Sequence, residues 1–408
     1  MASFRGFSVV NLTVVVMVVL AGCCGGGHGI VLDPPEELGI CASAITIHGY
    51  KCQEIQVTTR DGYVLSVQRI LEGRGGDGGG VKKQPVIIQH GVLVDGVTWV
   101  LNSAEQNLPM ILADNGYDVW IANTRGTRFS RRHTSLSPSD PTFWNWSWDE
   151  LLIYDLPALF DHVSQQTAHR IHYVGHSLGT LIVLASLSEG KLVNQLQSVA
   201  FLSPIAYLSH MTTIIGALAA RSLLPEKLTS LLGIAEFNPK GREVGNLLRV
   251  LCTRPGVDCY DLLTAITGHN CCLNSSTVQL FLKNEPQSTS TKNMVHLAQI
   301  ARTGVLAKFN YGTINHNLMH YGEINPPIYN LSNIPHDLPV FISYGGRDAL
   351  SDVQDVRRLL DHFKLHDVDK LAVQFVQNYA HADYIMGVDA NNIVYNPLIA
   401  FFKKHGSA

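Results

Sequence analysis

The segment that most constrains the fold is Gly175-His176-Ser177-Leu178-Gly179, in which one serine lies between two glycines. This G-x-S-x-G pattern is typical of a nucleophile elbow, a strained strand-to-helix turn that exposes the serine Oγ. A β-branched and aromatic run precedes it at 171–174, and an apolar run typical of a buried helix follows it at 180–187. The segment therefore favours acyl transfer through serine in an α/β domain, the alternative being a glycine-flanked serine in an ordinary turn.

Strand-like and helix-like segments alternate along much of the chain. After a hairpin over 54–70, the pattern predicts strands at 86–89, 117–122, 171–174, 197–202, 339–344 and 371–376, and helices at 107–115, 148–165, 352–362 and from Pro397. Such alternation predicts a mostly parallel central sheet with helices on both faces.

Residues 208–338 interrupt this alternation and are too many for a loop. Their first part, Met211 to Gly233, is apolar with few charges, which predicts a helical cap over the carboxyl ends of the strands, where open α/β sheets bind ligands. The alternative is that these helices extend the core. The predicted organisation is a signal peptide at 1–27, a core in two parts at 28–207 and 339–408, and the cap at 208–338.

Charge and composition narrow the possible ligands. With 30 basic and 33 acidic residues the net charge is -3, so no basic excess points to nucleic acid, and a neutral or apolar ligand fits better. No pair of CxxC or HxxxH elements has zinc-ligand spacing. The glycines from Gly73 to Gly80 lack the Gly-Lys-Ser/Thr of a phosphate-binding loop. We therefore expect neither a metal nor an organic cofactor.

The N-terminus predicts export. Arg5 precedes an apolar run from Phe7 to Leu20, which is shorter than the roughly 20 residues that span a bilayer and is typical of a secretory signal peptide. We expect a secreted protein, extracellular or in the secretory-pathway lumen. A lipid anchor on Cys23 and an uncleaved signal anchor are the alternatives.

Secretion would permit disulfides and glycosylation. Of the 8 cysteines, Cys23 and Cys24 would leave with the signal peptide, and the sequence leaves the connectivity of the others open. Short loops favour Cys41 with Cys52 and Cys252 with Cys259, whereas the adjacent Cys271 and Cys272 are expected not to bond to each other. Three N-x-S/T acceptors are candidates for glycosylation: Asn145, Asn274 and Asn330.

A nucleophilic serine requires a base and an acid that orients the base. In α/β-hydrolases these follow the serine in the order acid, then histidine. Asp348 comes directly after one predicted strand and His381 shortly after the next, so both could reach Ser177. Asp383 is too near His381 in sequence to be favoured as its acid. Weaker candidates lie in or after the intervening helix: Asp352, Asp355, His362 and His366.

The developing oxyanion requires two backbone N–H donors. One should be Leu178, the residue after the nucleophile, and the other should come from the loop after an early strand, Gln89-His90-Gly91-Val92-Leu93, where we assign Val92. His90 precedes the elbow in the chain, so we expect it to be structural.

Several of these segments resemble the acid lipase family, which includes gastric and lysosomal lipases and secreted plant triacylglycerol lipases. The resemblance covers nearly the whole mature chain. It is carried, in order, by Val57-Thr58-Thr59-Arg60-Asp61-Gly62-Tyr63, His90-Gly91-Val92-Leu93, Asn123-Thr124-Arg125-Gly126, Ser130-Arg131-Arg132-His133, Tyr154-Asp155-Leu156-Pro157-Ala158, Gly345-Gly346-Arg347-Asp348 and Asn378-Tyr379-Ala380-His381-Ala382-Asp383. Val92 replaces the family's leucine, and Leu178 follows the plant form of the elbow.

The resemblance implies an α/β-hydrolase fold and the triad Ser177, Asp348 and His381. It also implies a lipase that cleaves triacylglycerols or similar long-chain acyl esters at a lipid–water interface, with the cap contacting the lipid surface. A steryl-ester hydrolase or an acyltransferase of the same family is the nearest alternative. A non-catalytic receptor for lipophilic ligands is an alternative from another class, and the intact triad disfavours it.

Overall fold

A computed structural model describes residues 38–76, 83–213, 235–239, 263–264 and 266–406. The predicted signal peptide, residues 214–233 of the predicted cap, and Cys252 and Cys259 lie outside this range. The strands are β1 (Lys51–Thr58), β2 (Tyr63–Glu72), β3 (Pro85–Gln89), β4 (Asp118–Ala122), β5 (Arg132–His133), β6 (Ile171–Ser177), β7 (Leu196–Pro204), β8 (Glu236–Phe237), β9 (Thr289–Ser290), β10 (Val340–Gly345) and β11 (Leu371–Val376).

The main sheet has the order β1-β2-β4-β3-β6-β7-β10-β11, with β5 paired to β2. β1, β2 and β5 pair antiparallel, and β2 is also antiparallel to β4. The other six strands of the sheet order, β4-β3-β6-β7-β10-β11, run parallel to one another. From β3 the chain continues to β4 on one side, and it later enters β6 on the other side. This reversal is a topological switch point, the position at which open α/β sheets bind their ligands.

Helices cover both faces of this sheet, as predicted. They are α1 (Leu108–Asp114), α2 (Trp148–Glu150), α3 (Leu156–Thr167), α4 (Leu178–Ser188), α5 (Ser275–Asn284), α6 (Thr291–Thr303), α7 (Ile314–Tyr321), α8 (Val353–Asp361), α9 (Asp383–Met386) and α10 (Asn396–His405). α2 and α3 are joined by a π-helical turn, Leu151–Asp155. One apolar cluster joins α3, α4 and α8 to the sheet, and a second joins α1 and α10 to its other face.

The described part of the insertion at 208–338 contains α5, α6, α7 and the short β8–β9 pair. It is tied to the core by buried polar contacts: Asp149, at the start of the α2–α3 segment, accepts hydrogen bonds from the Tyr329 hydroxyl at 2.6 Å and the Phe309 N–H at 2.8 Å. Within the described residues, no helix has the length and apolar character that crossing a bilayer requires.

The expectation that Cys271 and Cys272 do not bond to each other is wrong, because the structure joins them in a disulfide. The backbone N–H groups of both residues donate to the carboxylate of Asp383, at 3.2 and 3.1 Å, and this holds the turn in which the adjacent sulfurs meet. A second disulfide links Cys41 to Cys52, the pairing favoured by their short separation.

Candidate active site

The elbow forms because two glycines permit close backbone approach around Ser177. β6 ends at Ser177, whose φ of 54° and ψ of -120° are strained for a residue with a side chain, and α4 begins at Leu178. A Cβ on Gly175 would lie 2.7 Å from the Gly179 carbonyl, and one on Gly179 would lie 2.7 Å from the Gln89 carbonyl oxygen. The pentapeptide thus packs against its own turn and against β3.

The loop after β3, residues 90–96 and here termed the β3 loop, lies against the nucleophile. A Cβ on Gly91 would be 2.9 Å from the Ser177 Cβ. The Val92 N–H donates no hydrogen bond to another described residue. Leu178 is the first residue of α4, so its N–H has no acceptor within the helix. Both predicted oxyanion donors therefore lie on segments that meet at Ser177.

His90 has a structural role in this loop. Its Nδ1–H donates to the Gly91 carbonyl oxygen at 2.7 Å, and its Nε2 accepts from the Thr124 N–H at 3.0 Å, which fixes one neutral tautomer. Burial lowers the pKa of His90 and so favours that neutral form. The imidazole thereby sets the orientation of the Gly91 peptide beside Ser177.

The structure brings Asp348 and His381 together at the ends of β10 and β11. The His381 Nδ1–H donates to Asp348, at 2.9 Å to Oδ2 and 3.1 Å to Oδ1, which leaves Nε2 as the acceptor. Asp348 Oδ1 also accepts from the N–H groups of Leu350 at 2.9 Å and Ser351 at 2.8 Å. Burial acts to raise the pKa of Asp348, but the neighbouring His381 and these N–H donors outweigh it and hold that pKa below its usual value.

His176 links the histidine segment to the elbow. Its Nε2–H donates to the His381 carbonyl oxygen at 3.0 Å, and the two rings lie 4.5 Å apart between centroids. Burial, followed by the nearby His381, lowers the pKa of His176 well below its usual value and keeps it neutral. The Ser177 hydroxyl makes no hydrogen bond to another described residue; such catalytic contacts often tighten only with substrate.

Sequence reasoning missed a supporting segment from the insertion, residues 266–273. The Thr267 carbonyl oxygen accepts from the His381 N–H at 3.1 Å and the Ala349 N–H at 3.3 Å. The Asn270 Oδ1 accepts from the Ala382 N–H at 3.2 Å. One stretch thus holds both the acid loop and the histidine loop, although about 80 residues separate it from Asp348. Its buried polar residues, Thr267 and Asn270, can be recognised only from the tertiary structure.

The other candidate acids and histidines have different partners. Asp383 accepts from the Ala380 N–H at 2.7 Å as well as from both cysteines, and burial raises its pKa to about 6. Asp352 caps α8, Asp355 binds His210, His362 binds the Tyr207 hydroxyl, and His366 binds the Leu338 carbonyl oxygen. Within the described part of the chain, none of these side chains forms a hydrogen bond with the His381 ring.

The described residues include one cluster of possible metal ligands and all three predicted glycosylation acceptors. Among the described residues, one group has ligand atoms close enough to hold a metal ion, Cys271, Cys272 and Asp383, but its two sulfurs are bonded to each other and offer no thiolate. The predicted glycosylation acceptors Asn145, Asn274 and Asn330 are all exposed. The last two also cap helical turns through their side-chain oxygens.

Family models and known proteins match most of the chain. A model described as the partial alpha/beta-hydrolase lipase region matches residues 41–103, and one for the alpha/beta hydrolase fold matches residues 84–387. Triacylglycerol lipase 2 of Arabidopsis thaliana is 61% identical over 377 residues, covering 91% of this chain and 90% of the relative. Gastric triacylglycerol lipase of Homo sapiens is 33% identical, covering 95% of this chain and 98% of the relative.

A solved structure shows the same fold. A soluble variant of monoglyceride lipase from Saccharomyces cerevisiae superposes with a TM-score of 0.55 at 14% identity, covering 92% of this chain and all of that one. The identity and coverage of the sequence relatives establish the family independently of this fold match. The chain therefore belongs to the acid lipase family of α/β-hydrolases and is an ester hydrolase of the lipase type.

Proposed function

We propose that this protein is a secreted serine lipase that hydrolyses triacylglycerols or similar long-chain acyl esters through an acyl-enzyme on Ser177. The observation that carries the proposal is the meeting of four loops. The elbow, the β3 loop and the Asp348–His381 pair converge at the carboxyl ends of neighbouring parallel strands. They supply a nucleophile, two backbone donors and an oriented base.

The reaction begins when His381 Nε2 takes the proton of the Ser177 hydroxyl and Oγ attacks the ester carbonyl carbon. The N–H groups of Val92 and Leu178 stabilise the negative oxygen that develops. The C–O bond to the alcohol then breaks, and His381 gives its proton to the leaving oxygen. Water, activated by the same imidazole, attacks the acyl-enzyme and releases the carboxylic acid. Asp348 stays ionised and holds the tautomer that this cycle requires.

The long-chain substrate rests on the relatives and on the insertion. The names of the plant and gastric relatives state triacylglycerol as their substrate. The apolar composition of Met211 to Gly233, in the insertion, favours contact with acyl chains at a lipid surface. Secretion rests on the signal-like apolar run that ends at Leu20. Amino-terminal sequencing of the protein recovered from culture medium tests it, and retention of the first residues in a cell-bound protein would refute it.

Ser177→Ala tests the chemistry. Hydrolysis and fluorophosphonate labelling should both disappear while the unfolding temperature stays near the wild-type value. Ser186→Ala is a matched control, because Ser186 is a fully buried serine on α4 whose hydroxyl has no hydrogen-bond partner among the described residues. This control should keep both activities, and turnover retained by the Ser177 variant would refute the mechanism.

The ester is tested separately, with triolein, cholesteryl oleate and short p-nitrophenyl esters assayed in parallel. We expect triolein to be cleaved fastest when it is presented as an emulsion. Faster turnover of the short soluble esters would contradict a lipase, and product transfer to an added alcohol in preference to water would indicate an acyltransferase.

A further inference from the structure

A buried pair of carboxyl groups lies beside the β3 loop. Glu285, directly after α5 in the insertion, is 1% exposed, and Asp95, at the end of the β3 loop, is 0% exposed. The Glu285 Oε1 accepts a hydrogen bond from the Asp95 N–H at 3.3 Å. The charged groups that face Glu285 are Asp95 and Arg128, whereas Lys283 on its own helix is exposed.

The same segment of the insertion holds a strained residue of the β3 loop. Leu93 has a φ of 62°, a left-handed conformation that is strained for a residue with a side chain. Its carbonyl oxygen accepts from the Gln287 N–H at 2.7 Å. Gln287 and Glu285 therefore hold two residues of the loop beyond Val92, Leu93 and Asp95 respectively.

The Arg128 guanidinium group lies near both carboxyl groups of this pair. The Arg128 Nε–H donates to Asp95 Oδ2 at 2.8 Å, and Asp95 Oδ1 accepts from the Val97 N–H at 2.9 Å. The Glu285 Oε2 is buried and has no hydrogen-bond partner among the described residues. Asp95 thus accepts a hydrogen bond from a cation, whereas one oxygen of Glu285 is buried with no donor from the described residues to compensate a negative charge, which favours a neutral Glu285.

Burial and the adjacent Asp95 both raise the pKa of Glu285 well above its usual value. The hydrogen bond from the Asp95 N–H acts in the opposite direction, but burial and the Asp95 charge outweigh it. The neutral form is therefore kept at low pH and lost as the pH rises through that raised pKa. Among the described residues, Arg128 is the cation that faces both carboxyl groups, so an ionised Glu285 would have to share it with Asp95. The ionised side chain is therefore more stable in water than buried beside Asp95.

We propose that Glu285 is a positioning residue for the β3 loop: as a neutral carboxyl group it holds the Asp95 N–H, and its ionisation releases the loop and displaces the Val92 donor. This inference rests on the proposed function, because it requires Val92 to stabilise the oxyanion. It places a pH-dependent control of the lipase in the insertion, outside the triad.

The test uses Glu285→Gln and Glu285→Ala, with Glu323→Gln as a matched control at an exposed carboxylate of the same insertion. The turnover of p-nitrophenyl butyrate by the full-length protein is measured over about pH 4 to 9. Glutamine keeps the acceptor and cannot ionise, so kcat at acid pH should stay within about 2-fold of wild type and its alkaline fall should move up by at least about 1 pH unit. Glu323→Gln should match the wild-type profile.

Glu285→Ala should lower kcat by about 10-fold with KM nearly unchanged, less than the roughly 100-fold loss of a deleted donor. If that variant does not fold, Glu285→Gln decides alone. A wild-type pH profile in Glu285→Gln, or a wild-type kcat in a folded Glu285→Ala, would overturn the inference. Turnover retained by Ser177→Ala would instead refute the mechanism on which it rests, so the two failures are distinguishable.

Discussion

Arg125 gives a prediction whose size can be worked out from its contacts. The side chain is 1% exposed and binds two carboxylates. Its Nε–H donates to Asp155 Oδ1 at 2.7 Å, and its two terminal nitrogens donate to Asp61 at 2.7 and 3.0 Å. The guanidinium also lies 3.8 Å from the centre of the Tyr63 ring. It connects the β1–β2 turn to the start of α3, so its loss should destabilise the core.

Arg125→Met keeps an unbranched side chain and removes the charge, which leaves the buried Asp155 and the partly buried Asp61 without this cation. Removing one partner of a buried ion pair costs about 3 to 5 kcal/mol, and we expect about 4 because Asp61 keeps some access to water. A chain of 408 residues has an unfolding entropy of about 0.9 kcal/mol/K, so the unfolding temperature should fall by about 4 to 5 °C at pH 7.5.

The loss should depend on pH. Burial acts to raise the pKa of Asp61, but the hydrogen bonds and charge of Arg125 prevail and lower it, whereas at Asp155 burial prevails and raises the pKa. The contribution of Asp61 is therefore present above its unfolded pKa of about 4 and lost as the pH falls through its lower folded pKa. Without Arg125 both folded pKa values rise, and the variant loses stability as the pH rises through them.

Differential scanning fluorimetry at pH 4.5 and 7.5, at one scan rate, measures this difference. The gap between wild type and variant should be largest at pH 7.5. Arg131→Met is the matched control, because Arg131 makes a similar two-bond contact with Glu236, at 2.8 and 2.9 Å, near the surface. Exposed pairs contribute about 0 to 1 kcal/mol. Equal losses in the two variants, or an Arg125 loss independent of pH, would refute the reasoning.

Two further predictions concern buried carboxylates. Asp348→Asn should lower kcat about 10³- to 10⁴-fold with the fold intact, because an amide does not hold the Nδ1–H tautomer of His381, and a loss below about 10-fold in stopped ester hydrolysis assays would contradict its role. Burial raises the pKa of Asp149 to about 7, so its neutral form is favoured at low pH and wild-type stability should fall as the pH rises from about 4 through 7. Asp149→Asn should remove that dependence and exceed wild type by about 1 to 3 kcal/mol at pH 7.5 in urea unfolding; parallel pH curves for the two proteins would contradict this.

The central sheet was predictable because its signals are local. A β-branched run before Gly175 and an apolar run after Gly179 define β6 and α4 through backbone preference and burial alone. The predicted strand at 371–376 coincides with β11, and the boundaries of α1, α8 and α10 lie within two residues of the predicted ones. The pairing of Cys271 with Cys272 was not predictable, since it depends on Asp383, more than 100 residues away.

The amino-acid sequence by itself determined the fold class, the family and the identity of the candidate nucleophile, acid and histidine, because turn glycines, alternation and chain order are properties of neighbouring residues. The tertiary structure alone decided what holds them in position. His176 binds the segment of His381, Thr267 supports the acid and histidine loops together, and Glu285 lies against Asp95. These contacts join residues far apart in the chain, and their hydrogen-bond geometry and burial exist only once the insertion packs on the sheet.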